Sequence, residues 1–148
     1  MIDQAAIAER IVEMVGGRAE AQATVVTGEA ALTRFANSFI HQNVADATRM
    51  VSVKVAVEGR VARGTDTRTD DAGLTALVER TIEAAQLAPA DPEWPGLTPP
   101  TAAPGIDNFD PATAAASPEQ RASLVGDFIA AAAGTDAAGY CDTEAVVV

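Results

Sequence analysis

Hydrophobic positions first recur at helical spacing. Between Asp3 and Val15, the residues Ile7, Ile11, Met14 and Val15 fall on one side of a helix, while Glu9, Arg10 and Glu13 point elsewhere. Asp3 can cap the first turn, and Gly16-Gly17 tolerates the positive φ that closes a helix. From Glu20 the period falls to two. Ala21, Ala23 and Val25 alternate with Gln22, Thr24 and Val26, which predicts a strand. Thr27-Gly28-Glu29 is expected to turn it, with Leu32 to Phe35 running back. Asn37-Ser38 offers another turn, and Phe39 to Val44 a short third strand.

The clearest strand is Met50 to Val57. Val51, Val53, Val55 and Val57 share one face of a pleat, which no helical period could arrange. Glu58-Gly59 makes a tight hairpin, and Arg60 to Thr67 returns with Val61 and Arg63 on one face and Ala62 on the other. Asp70-Asp71 then open a second amphipathic helix that carries Leu74, Leu77, Val78, Ile82, Ala85 and Leu87 and stops at Pro89. Ser117-Pro118-Glu119-Gln120 reads as a capping box with proline at the first helical position. Behind it Leu124, Val125, Phe128, Ile129 and Ala132 form an apolar face, and Gly134 is a plausible stop. Tyr140 to Val148 reads as a last strand.

All eight prolines lie between Pro89 and Pro118. Proline removes amide donors and restricts the residue before it, so 89–117 is expected to be a long Pro-rich connection. Its large apolar residues, Trp94, Leu97, Ile106 and Phe109, suit anchoring on a surface better than free solvation. The predicted class is α+β, a mostly antiparallel sheet with one face covered by amphipathic helices and the other partly wet. The expected order is α-β-β-β-β-β-α-loop-α-β. The chain stops on Val146-Val147-Val148, still in strand pattern. That ending suits a polypeptide that continues in nature, or a C-terminal strand tied into a central sheet. The first reading is taken here, with 1–148 as one αβ domain.

A length of 148 residues is enough to bury a core without staples or metals. Cys141 is the single cysteine, which excludes a disulfide-built scaffold. The start has no basic region followed by an apolar run, and no apolar stretch is long enough to span a bilayer, so a soluble cytoplasmic protein is expected. The formal net charge is -11. Residues 1–90 hold 12 acidic and 9 basic side chains, whereas 91–148 hold 9 acidic and a single basic one. Binding to nucleic acid or to an anionic membrane draws on positive charge, so neither is expected as a direct partner.

The residues offer no self-sufficient active site. Zinc hydrolysis needs three or four ligands, yet the chain has one His and one Cys, a hundred positions apart. His41 has no second His at helical spacing and reads as a strand histidine; Cys141 reads as a small apolar residue. Neither a dinucleotide fingerprint nor a phosphate-cradling GxxxxGK[ST] loop occurs. Asp66, Asp70 and Asp71 lack the spacing of a calcium loop and suit a turn and a helix cap. Catalytic and metal-ligating residues are therefore expected to be absent. Arg34 and Arg63, near the polar sheet face, and the lone Trp94 are the candidate interaction or substrate-side surface.

The segment LTRFANSFIHQNV, Leu32 to Val44, resembles the N-terminal domain of the TldD/PmbA family, also described as modulators of DNA gyrase. VSVKVAVEGRVARGTDTRTDDAGLTALVERTIEAA, Val51 to Ala85, resembles the passage that follows, with Gly59-Arg60, Gly64 and Thr65 where the pattern is most recognisable. DPEWPGL, Asp91 to Leu97, and the terminal AAGYCDTEAVVV are similar to the PmbA (TldE) branch. The resemblance implies a longer protein and a TldD/PmbA-like partner subunit in an oligomer. It also implies a metal-dependent peptidase complex, hydrolysing peptides or unfolded protein at a divalent metal, zinc in the first instance, held by the catalytic subunit. The family's metal motif has no match here: His41 is followed by Gln42. No cofactor is expected in this fragment, whose implied role is to help form the assembly and enclose substrate. A non-enzymatic protein-interaction module is the alternative.

Overall fold

The computed structural model describes residues 3–101 and 108–148. Its elements are α1 (Gln4–Val15), β1 (Glu20–Ala36), β2 (Phe39–Val57), β3 (Arg60–Asp66), α2 (Asp71–Leu87), α3 (Pro111–Ala114), α4 (Pro118–Ala131) and β4 (Gly139–Val147). The fold is α+β, with a four-stranded antiparallel sheet in the order β3-β2-β1-β4 and helices packed against it. By contacts the chain forms two compact units. Unit 1 holds Met1–Thr27, Arg49–Pro104 and Val148; unit 2 holds Gly28–Thr48 and Gly105–Val147. β1 and β2 each contribute one end to either unit.

In unit 1 the valine face is the core. Val51, Val53 and Val55 are fully buried and join Val25, Ile11 and Val15 of α1, and Leu74, Leu77, Val78, Ile82 and Ala85 of α2. Burial of each Val, Leu or Ile side chain among them stabilises the fold by about 1.5–3 kcal/mol. The β2–β3 register pairs Val55 with Ala62, Val53 with Gly64 and Val57 with Arg60. Asp3 caps α1 through the Ala6 amide, and Gly16 closes it at φ 60. Asp70 caps α2 through the Gly73 amide at 2.9 Å. Arg18 ties α1 to α2, forking onto both Glu79 oxygens at 2.9 Å while also donating to the Met14 and Val15 carbonyls that α1 leaves open.

In unit 2, Val125 of α4 packs with Phe35 and Ala137, flanked by Ile40, Ile129, Ala132 and Cys141. The capping box at Ser117 and Gln120 is present in full. The Phe35 and Phe128 ring centres lie 5.6 Å apart.

Four expectations need correction. No turn occurs at Thr27-Gly28-Glu29, because β1 runs unbroken through it. Gly28 instead allows close approach of β4: a β-carbon there would lie 3.2 Å from both the Ala145 carbonyl oxygen and a Val146 methyl. Phe39–Val44 and Met50–Val57 are one strand, β2, since Ala45 to Arg49 contains no glycine or proline to break it. Both of its faces are exposed in that stretch, so no apolar alternation marks it. Three strands, not five, therefore precede α2. The Pro-rich connection contains a one-turn helix, α3, capped by Asp110 with Pro111 at its start. On α4, Leu124 and Phe128 are 62% and 55% exposed, so the buried stripe is Arg121 and Val125 with half-buried Ile129 and Ala132.

Candidate functional site

The β2–β3 hairpin in unit 1 builds a cationic surface on the side away from the valines. Glu58 and Gly59, at φ 49 and 74, make its two-residue turn. The register then sets Lys54 opposite Arg63 and Ser52 opposite Thr65. Arg63 reaches diagonally, its Nε donating to the Ser52 hydroxyl at 2.8 Å. Ser52 is buried under this contact, so the face expected to be wet is partly covered.

The chain after α2 supplies more of the cover. Arg60 donates to the Ala88 carbonyl, and the Asp91 amide donates to the Gly59 carbonyl at 2.8 Å. The Asp91 carboxylate accepts from the Glu93 amide at 2.9 Å, and its carbonyl accepts from the Trp94 amide at 3.2 Å, forming a turn. This places the Trp94 ring beneath Lys54, whose Nζ stands 4.7 Å from the ring centre. Such a contact contributes about 0.5–1 kcal/mol where water still reaches it. Farther on, the Leu97 amide donates to Glu20 at 2.9 Å. Trp94 and Leu97 are half-buried and Phe109 is exposed; Ile106 lies outside the described residues.

Of the three candidate surface residues, Arg63 and Trp94 are therefore brought to one surface, with Lys54 between them. Arg34 belongs to unit 2. It is exposed on β1, opposite in alternation to buried Thr33 and Phe35, and lines an open depression with Gln42 and Asp142. In the surface of Lys54, Arg63 and Trp94 the ammonium rests on the indole and the guanidinium donates to Ser52; it contains no nucleophile beside a base.

Asp66 and Asp70, two of the clustered aspartates, serve the structure. Asp66 accepts from Arg68 and Arg80, each at 3.0 Å, and from the Thr67 and Arg68 amides. These contacts, that with the Arg68 side chain first, hold its carboxyl well below the usual carboxylate range. Asp70 is a helix cap. Among the described residues, no group of three or more His, Cys, Asp or Glu is placed to hold a metal ion. His41 is exposed on β2 with its ring against Phe39, and Cys141 packs half-buried in the unit 2 core.

Sequence reasoning missed Arg121, which is 2% exposed in unit 2. The available signal was its spacing four residues before Val125, on the buried stripe of α4.

No family model matches the sequence, and no curated protein matches it significantly. The fold, however, is similar to solved structures. TldE from Thermococcus kodakarensis superposes with a TM-score of 0.73 at 11% identity, covering 96% of this chain and 37% of that one. A candidate modulator of DNA gyrase from Thermotoga maritima gives 0.67 at 11% identity, covering 96% and 38%. Another, from Bacteroides thetaiotaomicron, gives 0.71 at 15% identity, covering 97% and 40%. The chain thus has the α+β fold found in TldD/PmbA-like structures and spans well under half of their length. Among its described residues, no helix is long and apolar enough to cross a membrane.

Proposed function

We propose that this chain is a non-catalytic αβ domain of a TldD/PmbA-type metallopeptidase complex, of the PmbA-like branch. It would help form the subunit assembly and enclose a peptide or unfolded segment. The observation that carries the reading is the fold match over 96–97% of the chain to TldE and to two candidate gyrase modulators. In this reading hydrolysis would belong to a partner subunit's divalent metal. The surface of Lys54, Arg63 and Trp94 is available to a partner or to substrate carboxylates. It also favours the second reading, a protein-interaction module with no part in proteolysis.

The test is co-expression of the chain, and of its gene extended beyond Val148, with a TldD-like subunit from the same genome. Co-elution, and peptide hydrolysis that a chelator stops, are expected of the extended pair. Hydrolysis by the isolated chain would overturn the non-catalytic assignment. Stable pairing with an unrelated protein, and none with the TldD-like subunit, would favour the interaction module.

A further inference from the structure

In unit 2 the sheet ends on β2. The β2–β3 register runs from Val51 to Val57, and β3 belongs to unit 1. Along Phe39–Thr48, β2 therefore has β1 on one side and, among the described residues, no strand on the other. Every residue from His41 to Thr48 is exposed. Such an edge presents a row of backbone N–H and C=O groups that can template another strand, and native edges are usually blunted by lysine, proline or brevity. Phe39–Thr48 contains no lysine, arginine, proline or glycine, and Asp46 is its only carboxylate. Gln42, Val44 and Asp46 share one face, where they line an open depression with Leu32 and Arg34.

Those side chains make the edge complementary to itself. An antiparallel pair of identical strands has its two-fold axis normal to the sheet, so opposed residues share a face. Axes through Asn43, Ala45 or Asp46 would set the Asp46 carboxylate against Ile40, Val44 or its own copy. With the axis through Val44, that residue meets its own copy and each Asp46 meets a Gln42 amide, a hydrogen-bond donor. Residues 40–48 then pair throughout. This makes about nine backbone hydrogen bonds between the chains, close to the complement of a typical stable interface.

We propose that the chain binds a second copy of itself through this edge, the two β2 strands pairing antiparallel about Val44. The proposal does not rest on the peptidase reading.

Sedimentation equilibrium of the whole chain should show a monomer–dimer equilibrium that tightens with added salt, since each copy carries a net charge of -11. Amides in 39–48 should gain protection from hydrogen exchange as the concentration rises. In a Cys141→Ala background, Val44→Cys should form an intermolecular disulfide under mild oxidation, because opposed Cα atoms lie about 4.5–5.5 Å apart. Thr48→Cys should not, its two copies lying roughly 27 Å apart along the strands. Val44 is 42% exposed, so substitution there should leave the melting temperature near wild type. Val44→Glu sets two carboxylates face to face and should weaken the dimer about tenfold, whereas Val44→Thr should match wild type. A chain that is monomeric at about 0.3 mM with and without salt would overturn the proposal. So would equal cross-linking of both cysteine variants, or an unweakened Val44→Glu dimer. Protection of 39–48 only when a TldD-like subunit is added would give the edge to that partner and overturn it as well.

Discussion

Gly64 on β3 lies so close to Thr81 on α2 that a β-carbon at Gly64 would stand 2.1 Å from the threonine hydroxyl oxygen. Thr81 is buried and donates that hydroxyl to the Leu77 carbonyl at 2.6 Å, so it has little freedom to move aside. The helix therefore rests on bare strand backbone. Gly64→Ala should destabilise the chain by about 1–3 kcal/mol, the usual cost of overpacking. Adding Thr81→Ala should recover part of the loss. Urea denaturation of the wild type and the two variants checks this, and a neutral Gly64→Ala would contradict so close a seat for α2.

Gly59 serves the neighbouring turn differently. Its φ of 74 suits glycine, and a β-carbon there would lie 3.0 Å from the Asp91 carbonyl oxygen. Gly59→Ala should cost about 1–2 kcal/mol through the left-handed backbone alone. It should also loosen the segment that carries Trp94. As the only tryptophan, Trp94 reports directly: its emission should shift to the red and its quenching by acrylamide should rise. Unchanged emission from a folded variant would argue against docking of Asp91 on Gly59.

The start of α4 depends on a reciprocal pair. The Ser117 hydroxyl accepts from the Gln120 amide at 3.2 Å, and Gln120 Oε1 accepts from the Ser117 amide at 2.7 Å. Ser117→Ala should destabilise by about 1 kcal/mol, and Ser117→Gly by less. Hydrogen exchange should quicken in the first turn of α4 before it does in α2. Equal changes in both helices would show that the cap is not the cause.

Asp66 makes stability depend on pH in a defined direction. Its carboxyl is held low in the folded chain, chiefly by Arg68, against an ordinary value of 3.8. A depressed folded value contributes fully above the unfolded value and is lost as pH falls toward the folded one. Wild type should therefore exceed Asp66→Asn in stability by a constant margin near neutrality, and the margin should shrink as pH drops below 3.8. Denaturation midpoints measured from pH 7 downward decide it. A margin that widens in acid would reverse the sign and reject the assignment.

Much of this fold was legible locally. Asp3, Asp70 and Ser117 each announce a helix through a side chain that caps its own next turn. Asn37-Ser38 and Glu58-Gly59 announce hairpins, and all four residues take positive φ. The alternating valines of β2 announce the core. The long strands were harder to read. Gly28 has the chemistry of a turn residue, and only the approach of Ala145 and Val146 explains it as strand. Ala45 to Arg49 is exposed on both faces, so burial left no period there to read.

By itself, then, the chain determined its three longer helices, the turns at Asn37-Ser38 and Glu58-Gly59, its valine core and its poverty in metal ligands, because those follow from neighbours within a few residues. Only the tertiary structure decided that Trp94 would lie under Lys54, that Arg34 and Arg63 would fall in different units, and that Arg121 would be buried while Leu124 and Phe128 stayed exposed. Those outcomes depend on which distant segments pack together. A helix with more apolar positions than its one buried stripe can use leaves that choice to its neighbours.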